Sequence, residues 1–258
     1  MRIIDLSLPL EDDSRWAPWW ARTRVRHQNH QFGRMAIRLL FGLRPKHLKT
    51  GLGWANDTME LSTHGTTHVD APWHYGPECE GRPARTIDEM PLDWFIGPGV
   101  VLDLRNLPRD SAASVRDLEL ALPAGYKLQP GDIALIMTGN DRLWGIREYY
   151  DAGPGVTAEG TRWLIDQGVR LMGIDAWGWD RPLDLQAREA RVTGRNDVFW
   201  EAHYVGVERE YCHMERLANL DQLPPSGFTI CAFPLKVLRG SAGPARVVAL
   251  LDASLPLP

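Results

Sequence analysis

Between Leu61 and Gly76 the chain reads LSTHGTTHVDAPWHYG, which sets His64, His68, Asp70 and His74 at even positions. Three of the chain's eight histidines fall in this one stretch. Imidazole nitrogen and carboxylate oxygen are the usual ligands of catalytic zinc and manganese, and both groups also move protons. Side chains of an extended segment alternate between faces, so even parity puts all four groups on one side of a strand. On a helix His64 and His68 would share a face, while Asp70 and His74 would swing away by roughly a third of a turn or more. β-branched Thr66, Thr67 and Val69 favour the extended form, and Pro72 is barred from a helix interior but fits a strand's end. The expectation is one face carrying four metal-binding or proton-handling groups.

Other chemistries fit less well. A serine-type triad lacks the Gly-x-Ser-x-Gly elbow anywhere in the chain. Cys79 as a nucleophile competes with the ordinary role of an isolated cysteine as a small core residue. Four histidines and carboxylates each satisfied by separate hydrogen bonds is the bland alternative.

The elements that must position this face alternate along the chain. IIDLSLPL, MELSTHGTTHVDA, GPGVVLDL, VRLMGIDA, FTICAFPL and ARVVALL read as strands. In QPGDIALIMTG the turn Pro130-Gly131-Asp132 leads into a buried strand from Ile133 to Met137. TAEGTRWLIDQG reads as a helix, opened by a threonine cap and stopped at Gly168. The pattern is α/β with mixed strands, taken as a single domain over residues 1–258. A net charge of -4 gives no general pull toward nucleic acid or an anionic membrane. No apolar run reaches spanning length, and acidic residues come too early for a secretory signal. Cys79, Cys212 and Cys231 form no CxxC pair, so a reduced, cytoplasmic setting is expected. Residues 14–56 contain no acid but many arginines and lysines. That stretch reads as a surface helix around Phe32 to Phe41, an oligomer contact or an anionic-substrate gate, ahead of nucleic-acid binding.

The opening stretch resembles the signature of the cyclase family of metal-dependent hydrolases, which includes bacterial kynurenine formamidases and isatin hydrolases. The family pattern His-x-Gly-Thr-His-x-Asp-x-Pro-x-His is met at every ligand-type position from His64 to His74. Gly65 and Thr66 depart from it, since the usual glycine position holds threonine. IIDLSLPL, PGDIALIMTG, LMGIDA, ANLDQLP and GPARVVAL follow in the family's order. The resemblance implies a swivelling β/β/α fold with a mixed sheet, a homo-oligomer such as a dimer or tetramer, and one or two divalent cations, zinc or manganese. It assigns His64, His68 and Asp70 to a first ion. It assigns to a second ion Asp70 and a histidine followed twelve residues later by a glutamate, a spacing met by His203 and Glu215. The residues alone leave another pairing open, because Glu210 and His213 form a Glu-x-x-His pair. Against that pairing stands a surface His213, or an extended run in which His213 and Glu215 share a face. His74, beyond Pro72, is the general base and acid, by its place beside the ligands and by the resemblance.

The function expected is hydrolysis of an amide or lactone bond in a small substrate that is aromatic or bears a carboxylate. Trp16, Trp19 and Trp73 are candidate pocket walls, and Arg181 is a candidate carboxylate clamp, with a surface salt bridge as its plain alternative. Two other readings differ in class. One is a metal-dependent cyclase or dehydratase (a lyase); the other is a metal-stabilised binding protein without turnover, for which a closed ligand shell would speak.

Overall fold

Ile133–Met137 and Leu171–Ile174 are buried at every residue, which is why they read as unbroken apolar runs: a strand covered on both faces needs no polar alternation. They lie at the centre of a nine-stranded sheet in the computed structural model, which describes residues 1–13 and 15–253. In chain order its strands are β1 (Arg2–Asp5), β2 (His68–Asp70), β3 (Ile96–Asp103), β4 (Ile133–Met137), β5 (Leu171–Ile174), β6 (Cys212–Glu215), β7 (Ser226–Cys231), β8 (Ala242–Pro244) and β9 (Val248–Leu251). Their spatial order is β1-β9-β7-β3-β4-β5-β6-β2-β8. The block β3-β4-β5-β6 is parallel, and every other pairing is antiparallel. This mixed sheet with helices is the α/β architecture expected.

Alternating residues of the central strands feed two cores. Val101, Ile133, Leu135, Met214 and Phe228 belong to one. Val100, Leu102, Ala134, Ile136, Met172 and Ile174 face the other, where Leu118, Leu164 and Ile165 of the helices Val115–Ala121 and Ala158–Asp166 cover them. Thr157 caps the second helix by accepting the Gly160 N–H at 3.0 Å, and Gly168 ends that segment with a left-handed φ of 91°, as the cap and stop signals require.

The expected strand MELSTHGTTHVDA is interrupted. Asn56–Glu60 is a strand, but the chain leaves it at 61–62, turns over 63–67, and only His68–Asp70 extends again. The turn is held by Thr67, whose Oγ1 accepts the Leu8 N–H at 2.9 Å and donates to the Arg216 carbonyl. Pro72 does not end an extended run but opens the short helix Pro72–Tyr75, where its missing N–H costs nothing and its fixed φ is already helical. His74 therefore reaches the site from a helix. Gly206 of the helix Val205–Glu208 lies so close to Tyr75 that a Cβ there would sit 1.9 Å from the ring.

The residues fall into two compact units, 1–9 with 63–258, and 10–62. Within the second unit Arg24–Gln28 pairs antiparallel with Asn56–Glu60. Its helix His30–Phe41 is capped by the Asn29 side chain and ended by Gly42 at φ 67°. Among the described residues no helix is long and apolar enough to cross a membrane, and the three cysteines are free.

Gly206→Ala forces the Tyr75 ring to shift, and overpacking of this kind costs about 1–3 kcal/mol. Urea unfolding should show a lower midpoint with an unchanged slope; a wild-type midpoint would mean that Tyr75 has room to move freely.

Candidate metal centre

β2 and β6 run antiparallel in a register that sets His213 opposite Asp70 and Glu215 opposite His68. Directly opposed residues point to the same side of a sheet, and residues two apart on one strand do too. Four polar side chains are thereby gathered on one buried patch. His64 joins from the turn, His74 from the helix Pro72–Tyr75, and His203 from the residues before the helix Val205–Glu208.

Asp70 is the hub. Its Oδ1 lies 2.8 Å from His64 Nδ1 and 3.1 Å from His68 Nε2. Its Oδ2 lies 3.0 Å from His213 Nε2, 3.9 Å from His74 Nε2 and 4.0 Å from His203 Nε2. Glu215 closes the second side, with Oε1 3.4 Å from His203 Nε2 and 3.3 Å from His213 Nε2, and Oε2 3.7 Å from His68 Nε2.

Several of these atoms lack a hydrogen-bond partner although buried: both Asp70 oxygens, His68 Nε2 and His213 Nε2. Leaving such groups unsatisfied is costly, and their convergence on common points is what a cation would resolve. The outer nitrogens of the imidazoles are held. His68 Nδ1 donates to the Thr66 carbonyl at 2.6 Å, so its Nε2 carries a lone pair toward Asp70. Thr66, at the departure from the family pattern, thus orients the His68 ring through its backbone. His64 Nε2 lies 3.0 Å from Ser241 Oγ. His203 Nδ1 donates to Asp180, which also accepts the Ala202 N–H. A carboxylate behind a histidine is the usual support of a metal-ligating imidazole. The donor set of imidazoles and carboxylates suits a divalent ion, and the residues fit one.

The electrostatics agree. Burial works to raise the Asp70 carboxyl, but His64, His74 and His68 around it, with His213 close to Oδ2, hold it well below the carboxylate range. Glu215 is likewise held low by His203 and His213 in spite of its burial. Burial pulls His203 down, yet its contacts with Asp180 and Glu215 raise it to about 10, so a cation held there would have to displace a proton. His74 is different. Burial, helped by His64 and His203 and opposed by Asp70, lowers it to about 3. It is a neutral base at pH 7, its ring 4.0 Å from the His64 ring and tilted 36° to it, with Trp200 edge-on at 5.0 Å.

The expected residues His64, His68, Asp70, His74, His203 and Glu215 come together. The others are placed differently. Trp19, 80% exposed, and half-buried Trp16 belong to the unit 10–62. Trp73 is 44% exposed on the helix beside His74. Arg181 pairs with Glu189. Glu210 is gripped by Arg85 through both carboxylate oxygens, at 2.7 and 2.5 Å, which leaves the Glu-x-x-His alternative without its acid. A surface His213 is wrong: the residue is 0% exposed, because β6 is covered on both faces and its register drives the ring into the Asp70 cluster. Asp180, Ser241 and Trp200 escaped the sequence reading altogether. Asp180 had a weak signal in DAWGWDRPLD, while Ser241 and Trp200 had none.

Residues 4–181 match the model of the Cyclase family; His203, His213 and Glu215 lie beyond the matched span. A kynurenine formamidase of Salinibacter ruber is 31% identical over 77% of this chain and 81% of its own length. Isatin hydrolase A from Labrenzia aggregata, solved with benzyl benzoate, is 26% identical with a TM-score of 0.72, covering 97% of this chain and 93% of that one. Isatin hydrolase A from Ralstonia solanacearum, at 24% identity and TM-score 0.75 over 97% of this chain and 92% of its own, shares the fold. On the matched span and this identity, the chain belongs to the Cyclase family.

Proposed function

We propose that this protein is a metal-dependent hydrolase that opens the carbonyl–nitrogen bond of a small amide. The observation that carries this reading is the convergence of buried, hydrogen-bond-free donor atoms on Asp70 beside a neutral histidine. Its relatives are named for hydrolysis of a formamide and of isatin. An aryl formamide or a cyclic aromatic amide is therefore the substrate class we favour, with lactones as the related alternative.

His64, His68 and Asp70 would hold one ion, and Asp70, His203 and Glu215 a second, zinc or manganese by their nitrogen and oxygen donors. A divalent ion there supplies Lewis acidity and makes water nucleophilic at neutral pH. His74, unprotonated at Nε2, takes the proton that the attacking water loses and passes it to the departing nitrogen. That nitrogen would otherwise leave as an unstable anion. Asp70 keeps its charge throughout. The His64 and His74 side chains are 21% and 24% exposed while His68 and Asp70 are fully buried. This side of the cluster thus opens to solvent, which favours turnover over a sealed metal site in a binding protein.

The aromatic edge for substrate falls to Trp200 and Trp73. Arg181 would have to exchange Glu189 for a substrate carboxylate to act as a clamp. We further propose one enzyme domain over 1–258, a cytoplasmic setting and a homo-oligomer. Exposed Phe32, Met35, Leu39, Leu40 and Phe41 on the helix His30–Phe41 support a subunit contact.

Chelator treatment should abolish turnover of aryl formamides or cyclic amides and lower the melting temperature, with zinc or manganese restoring both. Full activity in protein shown by elemental analysis to be metal-free would end the reading.

Ligand and base should separate by mutation. His68→Ala should lose metal, whereas His74→Ala should keep it and lose about 10²–10⁴-fold in turnover. Equal metal loss in the two variants would make His74 a ligand.

A further inference from the structure

We propose that His213 is a fourth protein donor of the second cation subsite, with Asp70, His203 and Glu215. The inference rests on the metal-dependent reading above and adds to it a residue that the family's spacing does not assign. A tetrahedral cation with ligands at about 2.0–2.1 Å spaces its donors about 3.4 Å apart. His213 Nε2 lies 3.0 Å from Asp70 Oδ2 and 3.3 Å from Glu215 Oε1. His203 Nε2 lies 3.4 Å from the same Glu215 oxygen and 4.0 Å from Asp70 Oδ2. All four donor atoms fall within 4.8 Å of one another and all four residues are buried. Three of these four separations lie within about 0.4 Å of the tetrahedral spacing, and the fourth, 4.0 Å, is longer.

The ring is also prepared for the task. Tyr211 donates its hydroxyl to the Ala202 carbonyl at 3.2 Å, which turns its lone pairs toward His213 Nδ1 at 3.3 Å. Tyr75 Oη lies 3.2 Å from that nitrogen. We assign the Nδ1 proton to this phenol network, which leaves the lone pair on Nε2, the atom with no hydrogen-bond partner of its own. Trp179 and Tyr75 stack on the imidazole at 5.4 and 5.3 Å, so it is clamped against turning away. An orphaned nitrogen lone pair facing two carboxylates is repulsive until a cation sits between them.

The consequence is a division of labour. Four protein donors complete the shell of a tetrahedral ion, as in structural sites, whereas three donors leave a place for water and substrate. With four protein donors the Asp70–His203–His213–Glu215 subsite would be closed to water and substrate, leaving the reaction to the His64–His68–Asp70 side, beside His74.

The test uses the full chain, stripped with chelator and titrated with Mn²⁺ and, separately, Zn²⁺. Ions per chain are counted by elemental analysis, and affinities are measured by calorimetry. Wild type should hold two ions. His213→Gln should keep one at wild-type affinity and bind the other at least about tenfold more weakly, while His68→Ala weakens the ion that His213→Gln keeps. The melting-temperature gain from the second ion should shrink in His213→Gln in parallel. His213→Phe, an apolar ring of similar shape, repeats the measurement if the glutamine variant does not fold. Two ions at wild-type affinity in the His213 variant would overturn the proposal. So would a single ion in wild type that the variant leaves untouched or supplements with a second, since His213 would then act without a metal. Absence of any bound ion in wild type would instead overturn the hydrolase reading itself.

Discussion

Everything at the centre of this protein turns on one buried carboxylate. Asp70 has both oxygens out of solvent and without hydrogen bonds, each aimed at different imidazoles. Moving an ionised carboxylate from water to such a place costs several kcal/mol unless positive charge surrounds it. The histidines around Asp70 can provide that charge as protons or as lone pairs holding a cation. The sheet, the turn before β2 and the helix after it all serve to bring them within about 4 Å of its oxygens.

The supports explain why a strand of three residues can do this. β2 lies between β6 and β8 and is hydrogen-bonded on both sides, so its pleat cannot rotate. Thr67 ties the preceding turn to Leu8 and Arg216. Thr66, Ser241 and Asp180 take up the outer nitrogens of three histidines, which fixes the orientation of their rings before any ion would bind. Glu215 is steadied in the same way by the Trp179 N–H at 2.8 Å.

Around this polar centre the chain places aromatic rings instead of aliphatic ones. Tyr75, Trp179 and Trp200 stack on the histidines, and Tyr211 packs against His213 at a tilt. Flat rings fill the volume, exclude water and offer hydroxyl and indole groups at their edges, which branched aliphatic side chains cannot do. His74 owes its neutral state to this desolvation, which makes it a proton acceptor where a solvated histidine would be partly charged.

The local pattern was strong enough to be read directly. The even spacing of His68 and Asp70 sets them on one face of any strand, and the short apolar runs at Ile133–Met137 and Leu171–Ile174, bounded by turn residues, read as interior strands, because both signals lie within a few residues. The helix Ala158–Asp166 was legible for the same reason, from its cap and its glycine stop. His203 and Glu215 were reached only by family resemblance, since nothing local links them to Asp70. Pro72 was read as a strand's end but opens a helix, because proline fits a helix's first turn equally. His213 was left open, at the surface or beside Glu215 on an extended run, and the second holds, for a deeper reason. Its neighbour across the sheet, Asp70, is fixed by the register of β6 on β2, and register depends on contacts between segments more than 130 residues apart. Residue types and spacing determined that imidazole and carboxylate groups share one face; only tertiary pairing decided which further histidines join them.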